Sequence, residues 1–182
     1  TKRHLVLEGP AGTGKTLVAL QVANNLMESA AEETGNKPLL VVTANNLQKN
    51  APIMKYLDAS TGTRDSKIFK DWIDIVEEFG VFELDTQLLH MTEHLSQKWE
   101  GRQIVMLVDE IRYKDVLSKL GDQCFPESVR MILILNPKES KSPLTLPPSF
   151  LHVTLTTPYR STIAIPSLAR FITKCKGLVV PE

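Results

Sequence analysis

Short uninterrupted apolar runs recur along this chain, separated by stretches in which apolar residues return every three or four positions. Leu5-Val6-Leu7, Leu39 to Val42, Ile104 to Val108 and Val129 to Leu135 lack the alternation of a strand with one wet face. They predict strands covered on both sides, the habit of parallel sheets. Val153 to Thr156 predicts a fifth strand. Between the first two runs, Val18, Ala19, Val22, Ala23, Leu26 and Met27 form one apolar face, and Gln21, Asn24, Asn25 and Glu28 fall opposite. That spacing predicts a helix lying on a sheet, closed by the turn Gly35-Asn36-Lys37-Pro38. Ile163 to Lys174 predicts another helix, closed by Gly177. Strands alternating with helices predict an α/β fold of three layers, a mainly parallel central sheet flanked by helices.

Residues 45–101 exceed any simple connection and predict a largely helical insertion between the second strand and the third. Asp65-Ser66 offers a cap, Ile68, Phe69, Trp72, Ile73, Val76 and Phe79 repeat at helical spacing, and Gly80 can end that helix. Val81 to Leu84 predicts a short strand, and Leu88, Leu89, Thr92, Leu95 and Trp99 a helix ending at Gly101. Trp72 and Trp99 sit on apolar stripes, which favours core packing over stacking on bases. His90 and His94 are spaced i, i+4, but with no third ligand evident they read as a solvated face rather than a metal site.

The first run leads into Gly9-Pro10-Ala11-Gly12-Thr13-Gly14-Lys15-Thr16, which matches the phosphate-binding loop G-x-x-x-x-G-K-[ST] in its required setting of strand, loop and helix. The glycines let backbone N–H groups turn toward phosphate oxygens at a helix N-terminus, where unpaired amides and the helix dipole favour an anion. Lys15 would reach the β- and γ-phosphates, and Thr16 would place its hydroxyl on Mg²⁺. The expected ligands are therefore ATP and Mg²⁺.

The third run ends in Asp109-Glu110, a Walker B pattern. A buried parallel strand delivers its C-terminal residues to the crevice where ligands bind in open α/β sheets, so both carboxylates should face the loop. Asp109 would hold Mg²⁺, directly or through water, and Glu110 would orient and deprotonate the attacking water. Asn136, before Pro137 at the end of the fourth run, could touch the γ-phosphate or the water, and is equally ordinary turn chemistry.

Leu155-Thr156-Thr157-Pro158-Tyr159-Arg160-Ser161-Thr162 with Ile165 resembles the L-x-x-N-Y-R-S-T-x-x-I motif of superfamily 1 helicases. With the loop and Asp109-Glu110, nearly the whole chain looks like the first RecA-like motor lobe of such a protein. The resemblance implies a P-loop NTPase (RecA-like) fold and ATP hydrolysis coupled to work on single-stranded DNA or RNA through a second lobe. It also implies that Arg160 reaches the γ-phosphate and that Tyr159 packs on the base. Three positions depart from the family: Glu139 stands for the sensor glutamine, Leu17 for an arginine after the GKT triplet, and Pro158 for asparagine. Val42-Thr43-Ala44-Asn45-Asn46 resembles the segment that touches single-stranded backbone in these motors. The rival is an AAA+-like or signalling ATPase, with Asn136 as sensor and nucleotide state controlling protein assembly. A non-enzymatic scaffold is disfavoured by Lys15, Asp109 and Glu110.

At 182 residues the chain suits one α/β domain and is too short for two RecA-like lobes. A start without Met, close to the first strand, suggests a domain taken from a longer protein. The 21 basic and 21 acidic residues balance, so bulk charge lends nothing to nucleic-acid affinity. Cys124 and Cys175 lack metal-ligand spacing and read as reduced thiols of an intracellular protein. No apolar run approaches membrane-spanning length.

Overall fold

The computed structural model describes residues 3–44, 53, 67–71, 78, 84–111, 120, 124–135, 146–156 and 164–174. In chain order these give β1 (His4–Glu8), α1 (Lys15–Thr34), β2 (Leu39–Ala44), β3 (Lys67–Asp71), α2 (Leu84–Lys98), β4 (Ile104–Ile111), β5 (Val129–Leu135), β6 (Phe150–Thr154) and α3 (Ala164–Lys174). The strands form one sheet in the order β3-β2-β4-β5-β1-β6, and every neighbouring pair is parallel. Every residue of β1, β2 and β5 is buried, the reason their sequences read as unbroken apolar runs.

Side chains alternate across the strands and divide the core into two. Leu5, Leu7, Leu40, Val42, Val105, Leu107, Ile132 and Ile134 pack with Val18, Val22 and Leu26 of α1 and with Ala169 and Ile172 of α3. Val6, Val41, Met106, Val108, Met131 and Leu133 pack on the opposite face with Leu88, Met91 and Leu95 of α2. Helices on both faces of a parallel sheet make the expected three-layer α/β P-loop architecture. α1 stops at Gly35, whose φ of 66° lies in the left-handed region and whose N–H donates to the carbonyl of Ala31. No helix among the described residues is long and apolar enough to cross a membrane.

Three expectations are corrected. Residues 67–71, read as the start of a helix, are β3, paired with β2 from Leu40↔Lys67 to Ala44↔Asp71. Adjacent apolar pairs such as Ile68-Phe69 suit a helical period, but the outer edge of a fully buried β2 needs backbone partners, and β3 supplies them. Within the stretch 45–101, Lys67–Asp71 thus joins the sheet and Leu84–Lys98 is helical. Trp72, Ile73, Val76 and Phe79 lie outside the described residues. Leu84, assigned to a short strand, opens α2 instead. β6 begins at Phe150, three residues before the expected Val153, and ends at Thr154. As an edge strand it alternates beyond Phe150, with Leu151 and Val153 half-buried and His152 and Thr154 exposed, and the expected start at Val153 missed the adjacent apolar pair Phe150-Leu151.

Trp99 packs against the second core as expected, with the Arg102 guanidinium 5.0 Å from its ring centroid. His90 and His94 are exposed, and no group of three or more His, Cys, Asp or Glu residues suited to a metal occurs among the described residues.

Candidate functional site

The loop between β1 and α1 is shaped by its glycines. Gly12 and Gly14 adopt φ of 79° and 82°, where a side chain would be strained. At Gly9 the reason is proximity, since an added Cβ would lie 2.5 Å from the carbonyl oxygen of Leu155. Thr13 is 2% exposed and its hydroxyl donates to the Pro10 carbonyl at 2.8 Å, so its side chain braces the turn. Pro10, Ala11 and Gly12 form the exposed rim. No side chain caps the N-terminus of α1, and its first turn holds no acidic residue. The amides there are left for an anion from outside the helix.

Lys15 is 6% exposed and folds back along the loop, its Nζ donating to Gly9 O at 2.6 Å and Pro10 O at 2.8 Å. Burial pulls its pKa below the ordinary lysine value, and the field of Asp109 partly opposes this. The ammonium rests on neutral carbonyls, which phosphate oxygens can replace with stronger charge-assisted partners.

β4 brings the second half of the site. Asp109 is 4% exposed, and the Thr16 hydroxyl donates to its Oδ2 at 3.1 Å, joining residues 93 positions apart. The strand runs on through Asp109 and Glu110 to Ile111, and its register slips against β5 between Val108 and Ile111. In a regular strand, adjacent residues point to opposite faces; a bulge at this point breaks the alternation. Of Glu110 the backbone alone is described. Asn136, Tyr159 and Arg160 lie outside the described residues.

The Thr16–Asp109 pair fits a magnesium ion. Adjacent corners of an octahedron with bonds of 2.0–2.1 Å are about 3 Å apart, close to this separation, and both atoms are hard oxygens of the kind Mg²⁺ takes. Two further polar residues border the loop and went unnoticed in the sequence: Glu8 ends β1, and its Oε2 lies 2.9 Å from His152 Nε2 on β6. The available signal was a charged residue closing a buried strand directly before Gly9.

No curated protein matches the chain in sequence. Among solved structures, one described as an ATPase domain is similar at a TM-score of 0.38 and 10% identity, the match covering 74% of this chain and 57% of that one. The chain therefore spans somewhat over half the length of this structural relative. The model of the AAA domain family matches residues 1–146, well over half of the chain and a span that holds the glycine loop, β4 and β5, so this chain is a P-loop nucleoside triphosphatase belonging to the AAA domain family.

Proposed function

We propose that residues 1–182 form one unit that binds ATP with Mg²⁺ and hydrolyses it. The observation that carries this reading is the 3.1 Å contact of Thr16 with Asp109 beside the buried ammonium of Lys15. Loop amides from Gly9 to Thr16 cradle the phosphates, and Lys15 exchanges the Gly9 and Pro10 carbonyls for β- and γ-oxygens. Thr16 and Asp109 hold the metal, which when bound neutralises charge on the phosphate oxygens. Glu110 takes the proton of the attacking water. Arg160 stabilises charge on the γ-phosphoryl oxygens, and Tyr159 packs on the base. Leu155, five residues before Arg160, already touches Gly9, which supports bringing that motif to the loop.

Calorimetric titration with ATP and Mg²⁺ tests the assignment. Lys15→Ala should remove most binding, and Asp109→Asn should weaken its Mg²⁺ dependence. Equal affinity in wild type and Lys15→Ala would end this reading.

On what hydrolysis drives, the Leu155–Thr162 motif with Ile165 supports the first motor lobe of a superfamily 1 helicase-like protein acting on single-stranded DNA or RNA. The family match over residues 1–146 favours a second reading, an AAA-type ATPase whose nucleotide state controls protein assembly, with Asn136 as sensor. ATPase rates with and without single-stranded DNA or RNA, measured in the full-length protein, separate them. Stimulation supports the motor, and its absence with either nucleic acid supports the assembly ATPase.

A further inference from the structure

β6 is an outermost strand, held along one edge by β1. With backbone partners on one side only, the end of such a strand depends on what its other groups can grip. Where β1 runs into the loop, three contacts gather. Leu155 N–H donates to the Glu8 carbonyl at 2.7 Å. The Leu155 carbonyl presses on Gly9, 2.5 Å from where a Cβ would sit. His152 Nε2 lies 2.9 Å from Glu8 Oε2, with the Glu8 side chain only 11% exposed. The register brings these side chains together: Val6 stands opposite His152 and Glu8 opposite Thr154, so Glu8 and His152 are diagonal neighbours on one face. A carboxylate oxygen accepts, so His152 Nε2 carries the proton and donates it. Glu8 shares the sheet face of Val6, the face covered by α2, whereas Asp109 alternates with Val108 of that face and bonds Thr16 of α1. The pair therefore acts on the nucleotide site through backbone rather than by touching a phosphate.

We propose that His152 is a positioning residue for nucleotide binding: paired with Glu8, it holds the end of β6 so that Leu155 packs on Gly9 and keeps the first residue of the phosphate loop in place. The line runs from His152 to Glu8 and through the peptide to Gly9, where the loop whose amides face the phosphates begins. It rests on the ATPase reading above. Because a loosened loop binds ground state and transition state equally less well, its loss raises KM and spares kcat. A hydrogen bond to a charged group is worth roughly a factor of ten in an equilibrium.

The test is steady-state ATP hydrolysis with Mg²⁺ by wild type, His152→Ala, His152→Gln, Glu8→Ala and the Glu8→Ala/His152→Ala double variant, with thermal melts alongside. His152→Ala should raise KM about five- to tenfold with kcat kept within about twofold. His152→Gln, whose Nε2 can donate to the same oxygen, should restore most of the loss, and the double variant should be no worse than Glu8→Ala. Should His152→Ala fail to fold, Glu8→Gln gives the same reading, at about threefold in KM. An unchanged KM, or a fall in kcat at constant KM, overturns the proposal. If wild type does not turn over ATP, the ATPase reading fails by itself. The pair is then judged by affinity for a fluorescent ATP analogue, where equal binding by His152→Ala and wild type overturns it. A wild type that neither binds nor hydrolyses overturns both.

Discussion

His4 opens β1 inside the core, 4% exposed, with its ring centroid 4.7 Å from that of Phe150 and 5.7 Å from that of Phe125. Its Nδ1 accepts a hydrogen bond from the Met131 N–H at 3.1 Å, which requires that nitrogen unprotonated. Burial, then the nearby charges of Arg3 and Arg130, lower its pKa from 6.5 to about 4. Above pH 6.5 both folded and unfolded chains hold the ring neutral, and His4 adds no pH dependence. As pH falls below 6.5 the unfolded chain takes up a proton that the folded chain refuses, so stability drops until the folded ring itself titrates near pH 4. Two and a half pKa units at 1.36 kcal/mol each bring the full loss to about 3 kcal/mol, and about 2 kcal/mol is already gone at pH 5. Carboxylates also weaken proteins in acid, so the quantity to measure is a difference. His4→Asn places an oxygen acceptor near the Nδ1 position and cannot titrate; it should be less stable at pH 7 through lost ring packing. Urea unfolding at several pH values should show the gap between wild type and His4→Asn narrowing by about 2 kcal/mol from pH 7 to pH 5. Parallel curves across that range would refute the neutral, buried imidazole.

Gly9→Ala would drive a methyl to 2.5 Å from the Leu155 carbonyl, a backbone atom that cannot rotate away. Melting or urea titration should show about 1–3 kcal/mol of destabilisation, with weaker ATP binding because the displaced loop no longer aims its amides at the phosphates. Glu110→Gln should keep nucleotide affinity and lose hydrolysis, since an amide can accept a hydrogen bond but cannot take the water's proton; undiminished single-turnover rates would reassign the base. Arg160→Ala should slow hydrolysis by roughly 10³ to 10⁵ while ADP affinity hardly changes, because ADP lacks the phosphoryl group that the arginine serves. Normal turnover in that variant would remove the case for the Tyr159-Arg160 motif.

What could be read from the sequence was local. The glycine loop is contiguous, its spacing dictated by phosphate geometry, and the run before it and the amphipathic repeat after it place it between β1 and α1. The continuous apolar runs of β1, β2, β4 and β5 betray burial on both faces, so the parallel α/β class was legible as well. Other features came from neighbours distant in sequence. β3 is a strand because β2 would otherwise leave an open edge, a demand absent from the Ile68-Phe69 pattern itself. β6 starts three residues before Val153 because its pairing with β1, from His4↔Phe150 to Glu8↔Thr154, decides its bounds. Asp109 was named as a metal ligand from its place at a strand end, but its 3.1 Å contact with Thr16 required β4 to lie in the sheet covered by α1, with β5 between it and β1. Glu8 showed only as a charge closing a buried strand, and it meets His152 only because parallel pairing of β1 and β6 sets Val6 against His152. Residue spacing encodes backbone conformation within a few turns of chain, whereas the register between strands is decided by which apolar faces the folded sheet must bury together.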